Sequence, residues 1–510
     1  MATNSTRSSS NKKARAKERA TPYPAPEVSA NEAVPENVWR IGIVVIFLIA
    51  AGLRLYDLNL VPLHHDEGVN GNFLVRLVRE GYYQYDPENY HGPTLYYFSA
   101  LIPWTVKLLF GSSARDTYGL TTFSIRLIPA LFGLATIALV FMLRRRLGTV
   151  ATLMAGLLLA VSPGAVYLSR YFIHESLFVF FTLGIVVAGL KLYDDRNPAY
   201  LIPAGASAAL LFATKETAMI SAGVLIIALA LTLVYLRWNS KPNRQSGRRR
   251  AAEPGRFSAF IDELGGNFNV AYNLGLGLIV FLALYLLFYS SFLTNNKGIT
   301  DSLQTFAVWT RTGRAAHVHP ASQYVIWLLR EEAPLLFLGA IGAALIVLKP
   351  KNSFALFSAL WAFGLLAAYS LIPYKTPWLM LNFVVPLALI GGYAIQAIYE
   401  LDHLRLRVVG AIFVVAIVVA TSQSIDLNFT NYDNDNEKYV YVYAHSKREM
   451  LDLVKQVEAI AKENNGSQTG ITIVSPDYWP LPWYFRNFQR VGYFGRMAAS
   501  SEPIIIANEN

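Results

Sequence analysis

Apolar residues come in long blocks separated by short polar connections. The blocks are roughly 17–24 residues long, about what an α-helix needs to cross the hydrocarbon core of a bilayer. Eleven candidate spans follow, near 39–56, 120–143, 147–168, 172–190, 199–213, 218–236, 270–293, 333–349, 353–373, 377–398 and 408–423. The fifth and the last are short. The pattern predicts an all-α polytopic membrane protein with about 11 transmembrane helices over residues 39–424. Beyond 424 the period changes. Residues 447–464 repeat as a helix, 471–474 read as a strand, 478–488 as a helix and 503–507 as a last strand. A small α/β domain over 425–510 is expected. The first 38 residues are polar, with Lys12, Lys13, Arg15, Lys17 and Arg19 early and Pro22, Pro24, Pro26 and Pro35 after them. They read as a disordered cytoplasmic tail. No apolar stretch follows the basic residues before Ile41, so the tail is not a secretory signal.

Composition sharpens this. The chain is 54% apolar and 15% charged, with mean hydropathy +0.34. Soluble proteins carry about 25% charged residues, so a soluble enzyme is excluded. There is no cysteine, which removes disulfides, thiolate metal sites and cysteine nucleophiles. The net charge of +10 reads as membrane topology rather than nucleic-acid binding. With the tail in the cytoplasm, the inside connections are 144–146, 191–198, 237–269, 350–352 and 399–407. They hold Arg144, Arg145 and Arg146, then Arg237, Lys241, Arg244, Arg248, Arg249, Arg250 and Arg256, then Lys351, Arg405 and Arg407. Every dense basic cluster thus falls on one side, as the positive-inside rule requires. The outside connections are 57–119, 169–171, 214–217, 294–332, 374–376 and everything after 424.

Candidate chemistry lies on the outside connections. His64-His65-Asp66-Glu67 fits a general base, a metal site or a plain solvated loop. Glu175 opens an apolar run behind Ser169-Arg170; it fits a functional acid or an interfacial pair with Arg170. Lys215-Glu216 and Tyr374-Lys375 put lysines on the side where that rule disfavours them. A phosphate partner and simple snorkelling are the two explanations. Arg126 lies inside the second span and needs a carboxylate or a phosphate. Arg311, Arg314, His317 and His319 add cations or imidazoles in 294–332. Carboxylates suit proton abstraction from a hydroxyl and cations suit a phosphate leaving group. Their gathering at one membrane face suggests a lipid phosphate as one substrate.

Arg54-Leu55-Tyr56 before His65-Asp66-Glu67-Gly68 resembles the start of the GT-C superfamily of integral-membrane glycosyltransferases. Protein O-mannosyltransferases and aminoarabinose lipid A transferases are the groups it is most similar to. Further matches are His91-Gly92-Pro93-Thr94-Leu95-Tyr96-Tyr97, Arg126-Leu127-Ile128-Pro129, Ser162-Pro163 and Ser169-Arg170. With Ala213-Thr214-Lys215-Glu216-Thr217, Tyr374-Lys375-Thr376-Pro377-Trp378 and Trp479-Pro480-Leu481-Pro482-Trp483-Tyr484, the whole looks like a prokaryotic branch known as flippase-activity-associated membrane proteins. The resemblance covers about 40–490. It implies a polyprenyl-phosphate-linked sugar donor, a protein, lipid or glycan acceptor, and an inverting single displacement at the extracytoplasmic face. It casts Asp66, with Glu67 beside it, as the base and Glu175 as an orienting acid. His65, His91, Arg126, Arg170, Lys215, Glu216, Tyr374 and Lys375 become the substrate-binding set. No cofactor or metal is implied where lysines neutralise the phosphate. The sequence departs from the family in two places. Glu175 stands where relatives often have Asp, and the tail differs from the β-rich domains of the mannosyltransferases. A flippase for lipid-linked sugars and a non-catalytic assembly partner are the competing readings. A transporter predicts charges at mid-membrane and internal repeats; the sequence has charges at one face and no repeat.

Overall fold

The computed structural model describes residues 34–89, 91–239, 256–315, 317–400, 403–443, 445–496 and 499–507. Most of the expected tail, and Lys241 to Arg250 of the expected basic connection, lie outside these residues. So do the side chains of Arg311, Arg314, Arg405 and Arg407.

All eleven apolar blocks are helical, but not all are simple spans. Eight helices among the described residues are long and apolar enough to cross a bilayer. Two more spans are broken. Thr149–Val161 and Pro163–Ser169 meet at 61°, and Gln323–Glu331 and Ala333–Leu348 meet at 113°. The first break falls where Pro163 lacks the N–H that would continue the helix, and Ser162 caps the new one through Ala165 N–H. Leu201–Phe212 has only 12 residues, too few to span alone. The count is therefore eight to ten spans plus one short helix, rather than eleven equal ones.

Burial sorts the spans. Pro377–Tyr399 is almost wholly enclosed and forms the axis of the bundle. It packs on Thr149–Val161, Ala333–Leu348 and Ser353–Leu371. Gly266–Tyr289 and Gly410–Thr430 are mostly uncovered, as peripheral spans facing lipid must be. At one end of the bundle Arg144 pairs with Glu36 at 2.8 Å, Arg145 with Asp195 at 3.1 Å, Arg196 with Glu263 at 2.8 Å, and Arg146 with Asp194.

The other end carries the polar connections. Residues 57–119, read from sequence only as a long polar loop, contain two helices, His65–Glu80 and Thr94–Phe110. The last span ends in a π-helical turn, Asp426–Thr430. The chain then returns over the core, where Tyr439, Val440, Tyr441 and Val442 are buried.

A second, smaller core follows, built from Val454, Val457, Ala461, Ile471, Ile473, Leu481, Phe485 and Ile504. It joins the helix Met450–Glu463 to a parallel sheet of strands β1 (Ile471–Val474), β2 (Val491–Phe494) and β3 (Ile504–Ala507) in the order β2-β1-β3. The helix and the first and last strands match expectation. The helix expected over 478–488 shrinks to one turn, Leu481–Tyr484, hemmed in by Pro480 and Pro482. The strand after it, interrupted by Gly492, carried no clear pattern. This unit is tied to the chain between the first two spans. Leu63 N–H donates to the Tyr484 hydroxyl at 2.9 Å, Arg79 Nη1 to the Arg486 carbonyl at 2.6 Å, and Arg486 Nη2 to the Leu120 carbonyl at 2.7 Å.

Candidate active site

The His64-His65-Asp66-Glu67 run is first of all a helix start. His64 is the N-cap of His65–Glu80; its Nδ1 accepts the Asp66 N–H at 2.9 Å, and its own N–H donates to Glu67 Oε2 at 3.1 Å. This reciprocal cap satisfies two of the N–H groups that a helix start leaves unpaired. It also divides the run. Glu67 turns inward and is fully buried, while the Asp66 side chain stays 42% exposed.

Glu67 is fully engaged. Arg126 Nε donates to Oε1 at 2.7 Å and Nη2 to Oε2 at 2.5 Å, and Phe172 N–H donates to Oε1 at 2.7 Å. Arg126 spends its other donors on the carbonyls of Leu58, Val61 and Pro62. The bidentate pair therefore pins the end of the first span, the second span and the helix bearing Asp66 into one body. Among the described residues the one ion-pair contact of the Asp66 carboxylate is the His64 ring, 3.9 Å away.

A second charged group lies alongside. Lys215 Nζ donates to Glu175 Oε1 at 2.5 Å, both side chains being buried. Glu216 meets His91 Nδ1 at 3.2 Å. Two sequence motifs make this contact. Gly92 N–H and Thr94 N–H donate to the carbonyls of Thr214 and Ala213. A β-carbon at residue 92 would sit 2.0 Å from the Ala213 oxygen, so only glycine permits the approach. The groups are linked: Asn70 donates to the Phe172 carbonyl, Tyr96 to Asn70, and the Tyr96 ring meets His174 next to Glu175.

Lys375 is different. Its side chain is buried, and its Nζ has only the carbonyls of Ile372, at 2.5 Å, and His319, at 3.4 Å, with the Tyr324 ring 5.9 Å away. Among the described residues no carboxylate pairs with it. Burial lowers its pKa from the usual lysine value. Residues 373–375 are held by a short pairing with 317–319, in which Lys375 N–H donates to the His317 carbonyl and His319 N–H to that of Pro373. A small pocket lined by His91, Lys215, Glu216, Thr217, Tyr369 and Tyr374 joins this corner to the Glu175–Lys215 pair.

A row of rings links the segment that carries Lys375 to the cap of the Asp66 helix. His64 Nε2–H donates to the Tyr443 carbonyl at 2.7 Å, and the Tyr443 hydroxyl bonds His317 Nδ1 at 2.7 Å. Trp378 lies between His64 and Tyr443. His445 sits 4.8 Å from the His64 ring and bonds the Tyr167 hydroxyl at 2.8 Å. Desolvation pushes both histidines below their ordinary pKa, His445 far below. Both therefore take up a proton less readily in the folded protein than in the unfolded chain, where histidine protonates near pH 6.5. Stability is full above that pH and falls as the pH drops through it, because the unfolded state then binds more protons. The expected loss is up to about 1.4 kcal/mol per pH unit for each histidine. Thermal unfolding in detergent between pH 7.5 and 5.5 should show a falling midpoint, with a shallower fall in His445→Gln.

Two predicted contacts lie apart. Arg170 donates to the carbonyls of Leu53, Tyr56 and Asp57 and rests on the Phe429 ring, so it caps the C-terminal end of the first span. Arg54 does the same for Thr149–Val161, through the carbonyls of Leu159 and Ala160. A cation at a helix C-terminus is favourable by the helix dipole. His65 is exposed beside Asp66. Sequence reasoning overlooked Glu332, buried at the 113° bend and accepting from Ser162 Oγ and Gly164 N–H, both at 2.8 Å. An acid pair directly before an apolar run was the available signal. Among the described residues no three His, Asp or Glu side chains converge as a metal site.

Residues 101–247 match the family model of dolichyl-phosphate-mannose-protein mannosyltransferases. The fold is similar to that of ArnT from Cupriavidus metallidurans in the apo state, with TM-score 0.60 and 15% identity, over 91% of this chain and 87% of that one. The same protein bound to undecaprenyl phosphate gives 0.58 and 14%, over 89% and 85%. The chain has the GT-C fold. The archaeal oligosaccharyltransferase AglB from Archaeoglobus fulgidus, in complex with an inhibitory peptide and a dolichol-phosphate, shares it at TM-score 0.54 and 14% identity, over 90% of this chain and 64% of that one. No curated protein matches the sequence. The GT-C core, on these coverages, extends through nearly the whole multi-pass membrane body.

Proposed function

We propose that the protein transfers a sugar from a polyprenyl-phosphate-linked donor to an acceptor hydroxyl, with inversion, at the extracytoplasmic face. One observation carries this reading. Asp66, an accessible carboxylate, and Lys375, a buried lysine, lie at the same end of a GT-C fold, and among the described residues no Lys or Arg pairs with the first and no carboxylate with the second. A buried unpaired cation is costly, and a lipid phosphate supplies the missing charge. The basic residues 144–146 lie at the opposite end, which supports an extracytoplasmic site.

In this mechanism Asp66 takes the proton from the acceptor hydroxyl. The acceptor oxygen attacks the anomeric carbon from the side opposite the phosphate. The carbon–oxygen bond to phosphate breaks, and its electron pair stays on the phosphate oxygen, which Lys375 stabilises. Glu67 and Arg126, counted among the reacting and binding groups by resemblance, act here as positioning residues, since each is saturated by partners inside the protein. Lys215 holds Glu175 and sets the wall between them and His91. Arg170 keeps the first span in register rather than touching substrate.

Lys375→Met tests the phosphate role. Methionine keeps the apolar stem and removes an uncompensated buried charge, so folding is expected to be intact. The expected loss in kcat/KM for the polyprenyl-phosphate donor is about 10²-fold, in the range found for removing one preorganised donor to a developing anion. Partial recovery in Lys375→Arg completes the test. An unchanged kcat/KM in Lys375→Met refutes the role.

A further inference from the structure

Rings from the C-terminal unit lie beside His65, the residue before Asp66. Trp479 lies with its centroid 6.2 Å from that of His65, the residue preceding Asp66. Tyr478 follows at 5.6 Å from Trp479, and Tyr493 on β2 at 5.2 Å from Tyr478. All three are half-buried. Among the described residues the Trp479 indole N–H and the hydroxyls of Tyr478 and Tyr493 have no hydrogen-bond partner. The row is rigidly placed. A β-carbon at Gly68 would sit 2.6 Å from Pro480, and one at Gly71 would sit 2.6 Å from Trp483. The unit is therefore pressed against the same helix that carries Asp66.

We propose that Trp479, Tyr478 and Tyr493, with His65, form a stacking shelf that binds a pyranose ring of the acceptor, so that the acceptor is a glycan. This rests on the glycosyl-transfer reading above. A pyranose offers an apolar face of C–H groups and a rim of hydroxyls. Half-buried aromatic rings bearing unpartnered N–H and O–H groups complement both parts, since Tyr and Trp combine an apolar body with a polar tip. Asp477 adds an exposed carboxylate beside the row, its N–H being held by Ser475 Oγ at 3.2 Å.

The test uses the full-length protein in detergent and saturation-transfer NMR. The probes are mannopentaose, maltopentaose, chitotetraose and a Ser/Thr-rich decapeptide. Transfer to the ring protons of at least one oligosaccharide is expected, weakened about tenfold in Trp479→Ala and restored in Trp479→Phe. Undecaprenyl-phosphate binding should be the same in all three proteins, which shows that the variants are folded. No transfer to any oligosaccharide, or transfer to the decapeptide alone, overturns the shelf. Consumption of a polyprenyl-phosphate sugar is followed in the same samples. Consumption without oligosaccharide binding removes the shelf only. Trp479-dependent oligosaccharide binding without consumption of any donor removes the transferase reading instead.

Discussion

Asp66→Asn is expected to lower sugar transfer by about 10²–10⁴-fold at saturating substrate, the usual contribution of a positioned general base. Asparagine keeps the shape of the side chain and loses its affinity for a proton. The fold has little stake in the change. The Asp66 carboxylate is 42% exposed and makes no hydrogen bond among the described residues beyond its approach to the His64 ring. Its N–H, which does bond to His64 Nδ1, is kept by any residue except proline. The loss of a negative charge in the first helical turn costs at most about 1 kcal/mol. The thermal midpoint should therefore move by only a few degrees while turnover collapses. Turnover within a few-fold of wild type would remove Asp66 from the chemistry.

The opposite signature is expected at Arg126 and Glu67. Each sits in the interior, and among the described residues its charge is matched by the other alone. Arg126→Met or Glu67→Gln leaves one buried charge alone and should destabilise the protein by about 3–5 kcal/mol. Arg126→Met also strips donors from the carbonyls of Leu58, Val61 and Pro62. The double variant should recover part of the loss, because neither charge then remains unpaired. A double-mutant cycle on thermal unfolding in detergent measures the coupling. Strictly additive effects of the two substitutions would show that the pair is not the clamp described here.

The two contrasting behaviours come from neighbouring residues, and that contrast was only half legible in the sequence. The spacing His64-x-x-Glu67 is that of a reciprocal helix cap, but histidine is an uncommon cap and the segment read as a loop. Arg126 was recognisable as an intramembrane cation needing a partner. Its partner lies 59 positions earlier, where no local period could point. The Glu175–Lys215 pair has the same origin, two motifs 40 residues apart meeting at the ends of spans. The isolation of Lys375 is the clearest limit. A lysine at a disfavoured face was visible, but that no carboxylate among the described residues pairs with it depends on stretches distant in sequence, such as residues 317–319 and Tyr324. Hydrophobic blocks gave the spans well, because length and apolarity are local. The bent ones read as simple spans because the bends at Ser162 and Glu332 depend on capping and tertiary contacts as well as on Pro163 and Pro334.

One measurement bears most directly on the central claim. Purified wild type in detergent is given a panel of radiolabelled polyprenyl-phosphate sugars with extracted envelope glycans, lipids and proteins as acceptors, beside Asp66→Asn. The expected result is consumption of one donor by wild type alone, with release of polyprenyl phosphate and a product of inverted anomeric configuration. Binding of the donors without release from any of them, in wild type and variant alike, would contradict the account and leave a protein that handles lipid-linked sugars without cleaving them.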